Sequence, residues 1–253
     1  MGLLDGKVAI VTGAGQGVGE GIALALAKEG AAIVAAGRTE AKLARVCGRI
    51  EALGGRAIPV ICDVRNPDDI ARAVERTLAE FGGIDILVNN AQIVRNDLLD
   101  NMDDEAFAEV FESGPFATFR FMKAVHPHLK NRGGGNIVNL ASSAPVRWDA
   151  KGFGVYSAAK QAIRSLSRAA AHEWAPDGIR VNTIAPFAMS PALEYWVEID
   201  PAGSEAVLST IPLGRIGDPE MDIGRAVVFL VGPDARYITA LTLPLDGGQG
   251  YFG

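Results

Sequence analysis

The stretch "KVAIVTGAGQGVGEG", residues 7–21, decides the fold. Its first part, 7–12, is an apolar run without polar alternation, the pattern of a strand buried on both faces. Its second part carries Gly13, Gly15, Gly17, Gly19 and Gly21 and passes directly into a helical pattern over about 17–29. The strict G-x-G-x-x-G spacing is absent; T-G-x-x-x-G-x-G stands from Thr12 to Gly19. The physical demand is similar. The backbone must turn tightly, approach a pyrophosphate and aim helix N-terminal N–H groups at it. A glycine cluster alone is equally a turn with no ligand. Placed after the first strand of an alternating chain, it predicts a nucleotide site at Gly13, Gly15, Gln16, Gly17, Val18 and Gly19.

Working outward, strand and helix patterns alternate about six times. "AAIVAA" (31–36), "RAIPVICDV" (56–64), "IDILVNN" (84–90), "NIVNLAS" (136–142) and "IRVNTIAP" (179–186) read as strands, and "ALTLPLD" (240–246) as the last. Helical patterns fill the intervals, including 40–53, 67–81, a long stretch from 103 to about 130, and 219–231. Continuous apolar strands separated by helices predict a parallel sheet covered on both faces. The expectation is a single-domain α/β chain over 1–253, a Rossmann-type doubly wound sheet of about seven strands. One irregular excursion, 187–219, is rich in large apolar residues and reads as a substrate lid or a subunit contact.

Bulk properties exclude several classes. The 253 residues are 49% hydrophobic with net charge -6, so nothing draws the chain to nucleic acid or an anionic membrane. No apolar run reaches the roughly 18 residues of a membrane span, and no cleavable leader is evident. Cys47 and Cys62 form no ligand or disulfide pattern, and His126 and His128 merely flank Pro127; no metal is expected. The plain reading is a cytoplasmic protein.

The second strand ends "AAGRTE". An acidic residue there would bond a ribose 2′-hydroxyl, whereas an arginine accommodates a 2′-phosphate. Gly37 is followed by Arg38 and Thr39, so NADP(H) is favoured over NAD(H).

Further on stands "GVYSAAKQAIRSL", with Tyr156 and Lys160 one helical turn apart. Together with "TGAGQGVG", "CDV" (62–64), "NNA" (89–91) and "YITALTLPLDGG", this stretch resembles the short-chain dehydrogenases/reductases over essentially the whole chain. The likeness is to the subgroup of 3-oxoacyl-carrier-protein reductases and alcohol or steroid dehydrogenases. It implies a nicotinamide cofactor and a homotetramer or homodimer. It also implies Ser142 as catalytic serine, with Ser143 as the alternative. Asp63 and Val64 resemble adenine contacts, Asn89, Asn90 and Ala91 the ribose side, and the segment after Pro186, with Ala188 and Met189, the nicotinamide wall.

The chemistry follows from the side chains. Reducing a ketone leaves an alkoxide that needs a proton, and the reverse needs it removed. A free tyrosine is a poor base at neutral pH, and a neighbouring ammonium favours the phenolate. Tyr156 is the expected acid/base, Lys160 its partner and a ribose ligand, and Ser142 the group that orients the substrate oxygen.

Four positions depart from the family pattern. Gln92 replaces the glycine of "NNAG". Gly114 falls where an asparagine usually holds a water of a proton relay, with Ser113 as a possible substitute. Phe187 replaces the glycine after Pro186, and Pro191, beside Ser190, replaces a threonine. Two functions follow. The first is an NAD(P)(H)-dependent interconversion of a moderately apolar ketone and secondary alcohol. Ile93, Val94, Val146, Trp148, Phe153, Phe187, Met189 and Trp196 would line its pocket, and Arg95 and Arg147 are available for an acidic group. The alternative is a nucleotide-binding member with weak or no catalysis, a sensor or scaffold.

Overall fold

The computed structural model describes residues 2–147 and 151–252. Seven parallel strands form one sheet in the order β3-β2-β1-β4-β5-β6-β7. They are β1 (Val8–Thr12), β2 (Ala32–Gly37), β3 (Ala57–Ile61), β4 (Ile86–Asn89), β5 (Gly135–Leu140), β6 (Ile179–Pro186) and β7 (Thr242–Leu245). Val11 lies opposite Ala35 of β2 on one side and Val88 of β4 on the other. The winding therefore reverses at β1, and a crevice opens beyond the carboxyl ends of β1 and β4.

Alternate residues of each strand enter two cores. Ala9, Val11, Ile33, Ala35, Val88, Val138 and Ile184 pack under α1 (Gly17–Lys28), α2 (Glu40–Ala52) and α9 (Arg225–Val231). Ile10, Val34, Ala36, Leu87, Ile137 and Val181 pack under α3 (Pro67–Phe81), α5 (Ala117–Asn131) and α6 (Gly154–Glu173). Burial on both faces is why these strands carry no polar alternation. Local signals set the helix ends: the Asn66 side chain accepts the Asp68 N–H at 2.9 Å, Pro67 opens α3, and Gly82 closes it in the left-handed region.

Three expectations change. The long helix expected from 103 is interrupted: α4 (Asp104–Phe111), a π turn (Glu112–Phe116) and then α5. Pro115 lies inside that turn and has no N–H, so the wider turn lets the helix continue past it. The 219–231 helix likewise begins with a π turn, Pro219–Gly224. The strand expected to reach residue 64 ends at Ile61, because the Asp63 N–H donates to Asp69 at 2.9 Å, turning the chain toward α3.

Between β6 and the second π turn lie α7 (Pro191–Ile199) and α8 (Pro201–Leu208), closed at the base by a bridge between Ala188 and Gly217. No residue of α7 is buried. Among the described residues no helix is long and apolar enough to cross a membrane.

One polar network crosses the apolar interior. Asn89 donates to the Asn139 side chain at 2.8 Å, and Asn139 donates to Ser167 of α6 at 2.8 Å. Asn139 is fully buried, and removing it leaves the Asn89 amide without its acceptor and takes one partner from Ser167, which still donates to the Ile163 carbonyl at 2.7 Å. Asn139→Ala is expected to cost about 2–3 kcal/mol in chemical denaturation, with an unchanged denaturant slope. A loss below about 0.5 kcal/mol would show that the network contributes little.

Candidate active site

The glycine turn is built against β4. The Thr12 hydroxyl accepts the N–H groups of Asn90 and Ala91 at 2.9 and 3.0 Å. The Asn90 side chain donates to the Thr12 and Gly13 carbonyls at 2.8 and 3.2 Å. Gly13 and Gly17 have φ of 65° and 55°, where side-chain-bearing residues are strained. A Cβ on Gly13 would also lie 2.6 Å from the Asn90 amide nitrogen. Gln16 stands at the N-cap of α1 without a side-chain cap, which leaves first-turn N–H groups for a ligand.

A cleft of about 520 Å³ opens here. It takes in Gly13, Gly15, Gln16, Gly17, Val18, Arg38, Thr39, Asp63, Val64, Asn90 and Ala91. Gly19, Asn89, Pro186, Ala188 and Met189 are not part of its lining. Gly19 faces the Gly13 carbonyl, Asn89 turns into the interior network, Pro186 ends β6, and the Met189 N–H donates to Gly217 at 2.9 Å. Arg38 is exposed at the β2 end of the cleft, and Asp63 is held low in pKa by its ion pair with Arg65 at 2.7 Å. Sequence reasoning missed Lys42, which lines the cleft one turn after Arg38 and donates to the Gln16 side chain. The signal was there: a second cation four residues after the arginine that follows β2.

These features fit a dinucleotide. The turn leaves no room for side chains, the helix end is uncapped, and two cations, Arg38 and Lys42, line the cleft beyond β2. A more open depression of about 780 Å³ lies outside, between Asp63, Arg65 and α4. Its acidic lining, with Asp103, Glu105, Glu109 and Glu112, is unsuited to phosphates.

The candidate reacting groups, Ser142, Tyr156 and Lys160, stand after β5 and in the first turns of α6. Tyr156 hydrogen-bonds Ser142, whose hydroxyl also accepts the Ala144 N–H at 3.1 Å. Ser143 instead is buried and packs against the C-terminal segment, where a Cβ on Gly250 would lie 2.6 Å from its own Cβ. Ser142 is therefore the serine that faces the tyrosine. The Lys160 ammonium lies 5.4 Å from the Tyr156 ring centroid and donates to the Leu140 carbonyl at 2.6 Å. Burial pushes the Tyr156 phenol up to about 12, against the Ser142 hydrogen bond. Burial also pushes Lys160 down to about 7. In this cofactor-free arrangement burial thus shifts both groups toward their neutral forms.

The departures prove to be connected. A Cβ on Gly114 would meet the Gln92 amide nitrogen at 2.7 Å, so Gln92 occupies the space that a side chain at 114 would need. The Ser113 hydroxyl is engaged elsewhere: it donates to the Glu109 carbonyl at 2.7 Å and accepts the Ile93 N–H at 3.1 Å. Phe187 continues the β6 edge, its N–H donating to Leu245 at 3.0 Å. Ser190 caps α7 by accepting the Leu193 N–H at 3.3 Å, and Pro191 is the first residue of that helix. Ile93 and Val94 line the cleft, and Val146, Phe153, Phe187, Met189 and Trp196 are partly exposed. Trp148 lies outside the described residues. Arg95 is ion-paired with Glu109 at 2.6 Å.

The C-terminal segment ties two parts of the site together. The buried Asp246 carboxylate accepts the N–H groups of Gly248 and Gly250 at 3.1 and 2.9 Å. Gln249 donates to Thr210, beyond α8, at 2.7 Å, and Phe252 lies under the Arg164 guanidinium of α6.

Comparison with known proteins agrees with this geometry. A family model described as enoyl-(acyl carrier protein) reductase matches residues 13–249. A 12α-hydroxysteroid dehydrogenase from a Clostridium species is 43% identical over 99% of both chains. A 3-oxoacyl-[acyl-carrier-protein] reductase from Vibrio cholerae is 36% identical, over 97% of this chain and 98% of that one. A 7α-hydroxysteroid dehydrogenase solved with NADH and 7-oxo glycochenodeoxycholic acid superposes with a TM-score of 0.91 at 32% identity, covering 98% of this chain and 95% of that one. The chain belongs to the short-chain dehydrogenase/reductase family and is an NAD(P)-dependent oxidoreductase that interconverts ketones and secondary alcohols.

Proposed function

We propose that Ser142, Tyr156 and Lys160 carry this reaction on a hydroxysteroid or a ketone of similar size and apolarity. The observation that carries the reading is the Ser142–Tyr156 hydrogen bond, with the buried Lys160 amine 5.4 Å from the Tyr156 ring centroid. A bound nicotinamide supplies or accepts the hydride. The Ser142 hydroxyl orients the substrate oxygen, and the Tyr156 hydroxyl gives that oxygen its proton or takes it back. Lys160, anchored on the Leu140 carbonyl, binds the cofactor sugar and adds positive charge beside the phenol as it protonates. The glycine turn, Val18, Asn90 and Ala91 hold the pyrophosphate and ribose, and Asp63 and Val64 flank the base. Asn89 acts from behind through its interior network, while Pro186, Ala188 and Met189 form the nicotinamide wall.

The apolar substrate is favoured by α7 and by the relatives. Tyr195 and Ile199 are 63% and 61% exposed on a helix with no buried residue, which suits a lid that closes on an apolar ligand. The 187–219 insertion is therefore assigned as the substrate loop of a domain spanning 1–253. Arg38 and Lys42 favour NADP(H). Two further apolar patches favour a dimer or tetramer: Phe107, Phe116 and Phe119 on α4 to α5, and Phe229, Tyr237 and Leu241 near β7. A monomeric mass by light scattering would overturn that assignment. Two buried free cysteines suit a reducing cytoplasm.

The direct test is turnover of a 12-oxo steroid and a 3-oxoacyl thioester with NADPH and NADH. Tyr156→Phe is expected to lower kcat by at least about a thousandfold with cofactor affinity retained; near-normal turnover would remove Tyr156 from the reaction.

Arg38→Asp is expected to weaken NADPH binding about ten- to a hundredfold in fluorescence titration and to spare NADH. Equal losses for both cofactors would argue against 2′-phosphate recognition.

The lysine makes a pH-dependent prediction. Between pH about 7 and 10.5 the folded chain holds Lys160 neutral while the unfolded chain holds it charged. The lysine's contribution to stability therefore rises with pH across that window. Lys160→Met should raise the melting temperature of the cofactor-free protein most at pH 6, and the gain should shrink toward pH 10. A gain that grows with pH would contradict the burial of this amine.

A further inference from the structure

Gln92 begins on the wall of the cleft and ends away from it. It lines the cleft with Asn90, Ile93 and Ser113, yet its carboxamide is turned against Gly114. There Oε1 and Nε2 are both buried and have no hydrogen-bond partner. Its surroundings explain why. Pro115 has no N–H to offer, and the Ser113 hydroxyl already serves Glu109 and Ile93. An amide with both polar atoms desolvated and unpaired is held at a cost, since neither atom recovers the hydrogen bonds it gives up to water. The space it fills exists only because residue 114 is glycine: a Cβ there would stand 2.7 Å from Nε2 and 3.0 Å from Cδ.

We propose that Gln92 is a ligand-binding residue with two positions, one tucked against Gly114 and one turned into the cleft, where its carboxamide meets a hydroxyl of the bound ligand. The choice of partner follows from the side chain. A carboxamide offers one acceptor and donors together, and a hydroxyl both donates and accepts. That hydroxyl comes either from a sugar of the dinucleotide or from the secondary alcohol of the substrate. The tucked position keeps the amide out of the cleft until such a group arrives, and pairing it relieves the two unpaired atoms. This inference rests on the dinucleotide reading of the cleft.

The test uses the 253-residue chain, NADPH and NADH as binding probes, a 12-hydroxy steroid with NADP+ or NAD+ as the turnover pair, and two variants. Gln92→Met keeps the bulk beside Gly114 and removes both polar atoms. It should raise the melting temperature of the cofactor-free protein by a few degrees. If the partner is a sugar hydroxyl, it should weaken nucleotide binding about tenfold. If the partner is the substrate alcohol, nucleotide binding should hold and KM for the alcohol should rise about tenfold. A residue that only packs would show neither loss. Gly114→Ala denies the tucked position and should leave nucleotide binding equal or tighter. Binding weakened tenfold by Gly114→Ala, or unchanged binding and KM in Gln92→Met, would overturn the proposal. Wild-type protein that binds neither nucleotide would instead overturn the reading of the cleft. The melting comparison needs no ligand, and a lowered melting temperature in Gln92→Met would by itself show that the tucked amide is not strained.

Discussion

The side-chain amide of Asn90 is the contact on which the ligand end of the molecule depends. It bonds the carbonyls of Thr12 and Gly13, so the tips of β1 and β4 are tied together where the sheet reverses its winding. The glycines answer to it directly: a Cβ on Gly13 or Gly19 would lie 2.6 or 2.5 Å from that amide nitrogen. The Thr12 hydroxyl then fixes the N–H of Ala91, and with it the direction in which Gln92 leaves the strand. Turn, strand tip and cleft wall are therefore one mechanical unit, and the conformational freedom of glycine is used to let backbone and amide approach each other.

Burial governs the protonation of Tyr156 and Lys160 more than their proximity does. Tyr156 and Lys160 share a helix face, but each is pushed toward its neutral form because the medium around it is poorly solvating. The same medium strengthens the effect of any charge brought beside them. A positive charge brought beside the phenol by a bound cofactor would therefore act on it with little screening. The Ser142 hydrogen bond works against the burial shift of Tyr156 and favours the phenolate.

Much of this was legible in the chain. The apolar strands announce a sheet covered on both sides, and α3 could be delimited because Asn66, Pro67 and Gly82 are local signals. The glycine turn and the Tyr156/Lys160 spacing were readable for the same reason: each is a short-range pattern. The π turns were not, since they depend on how Pro115 and Pro219 are accommodated by packing rather than on periodicity. Gln92 and Gly114 stood out singly as departures, but that they meet in space is a tertiary fact. Ser143 and Gly250, far apart in sequence, touch for the same kind of reason.

The two cysteines have a practical consequence. Cys47 and Cys62 are both buried, and burial raises their thiols to about 11 and about 12. Near neutral pH neither presents a thiolate to solvent, and the thiolate is the form that alkylating reagents attack. The native chain is therefore expected to react slowly with maleimides. A cysteine introduced on α7 and a second on α2 would give a spectroscopic ruler between these two helices without first removing either natural thiol.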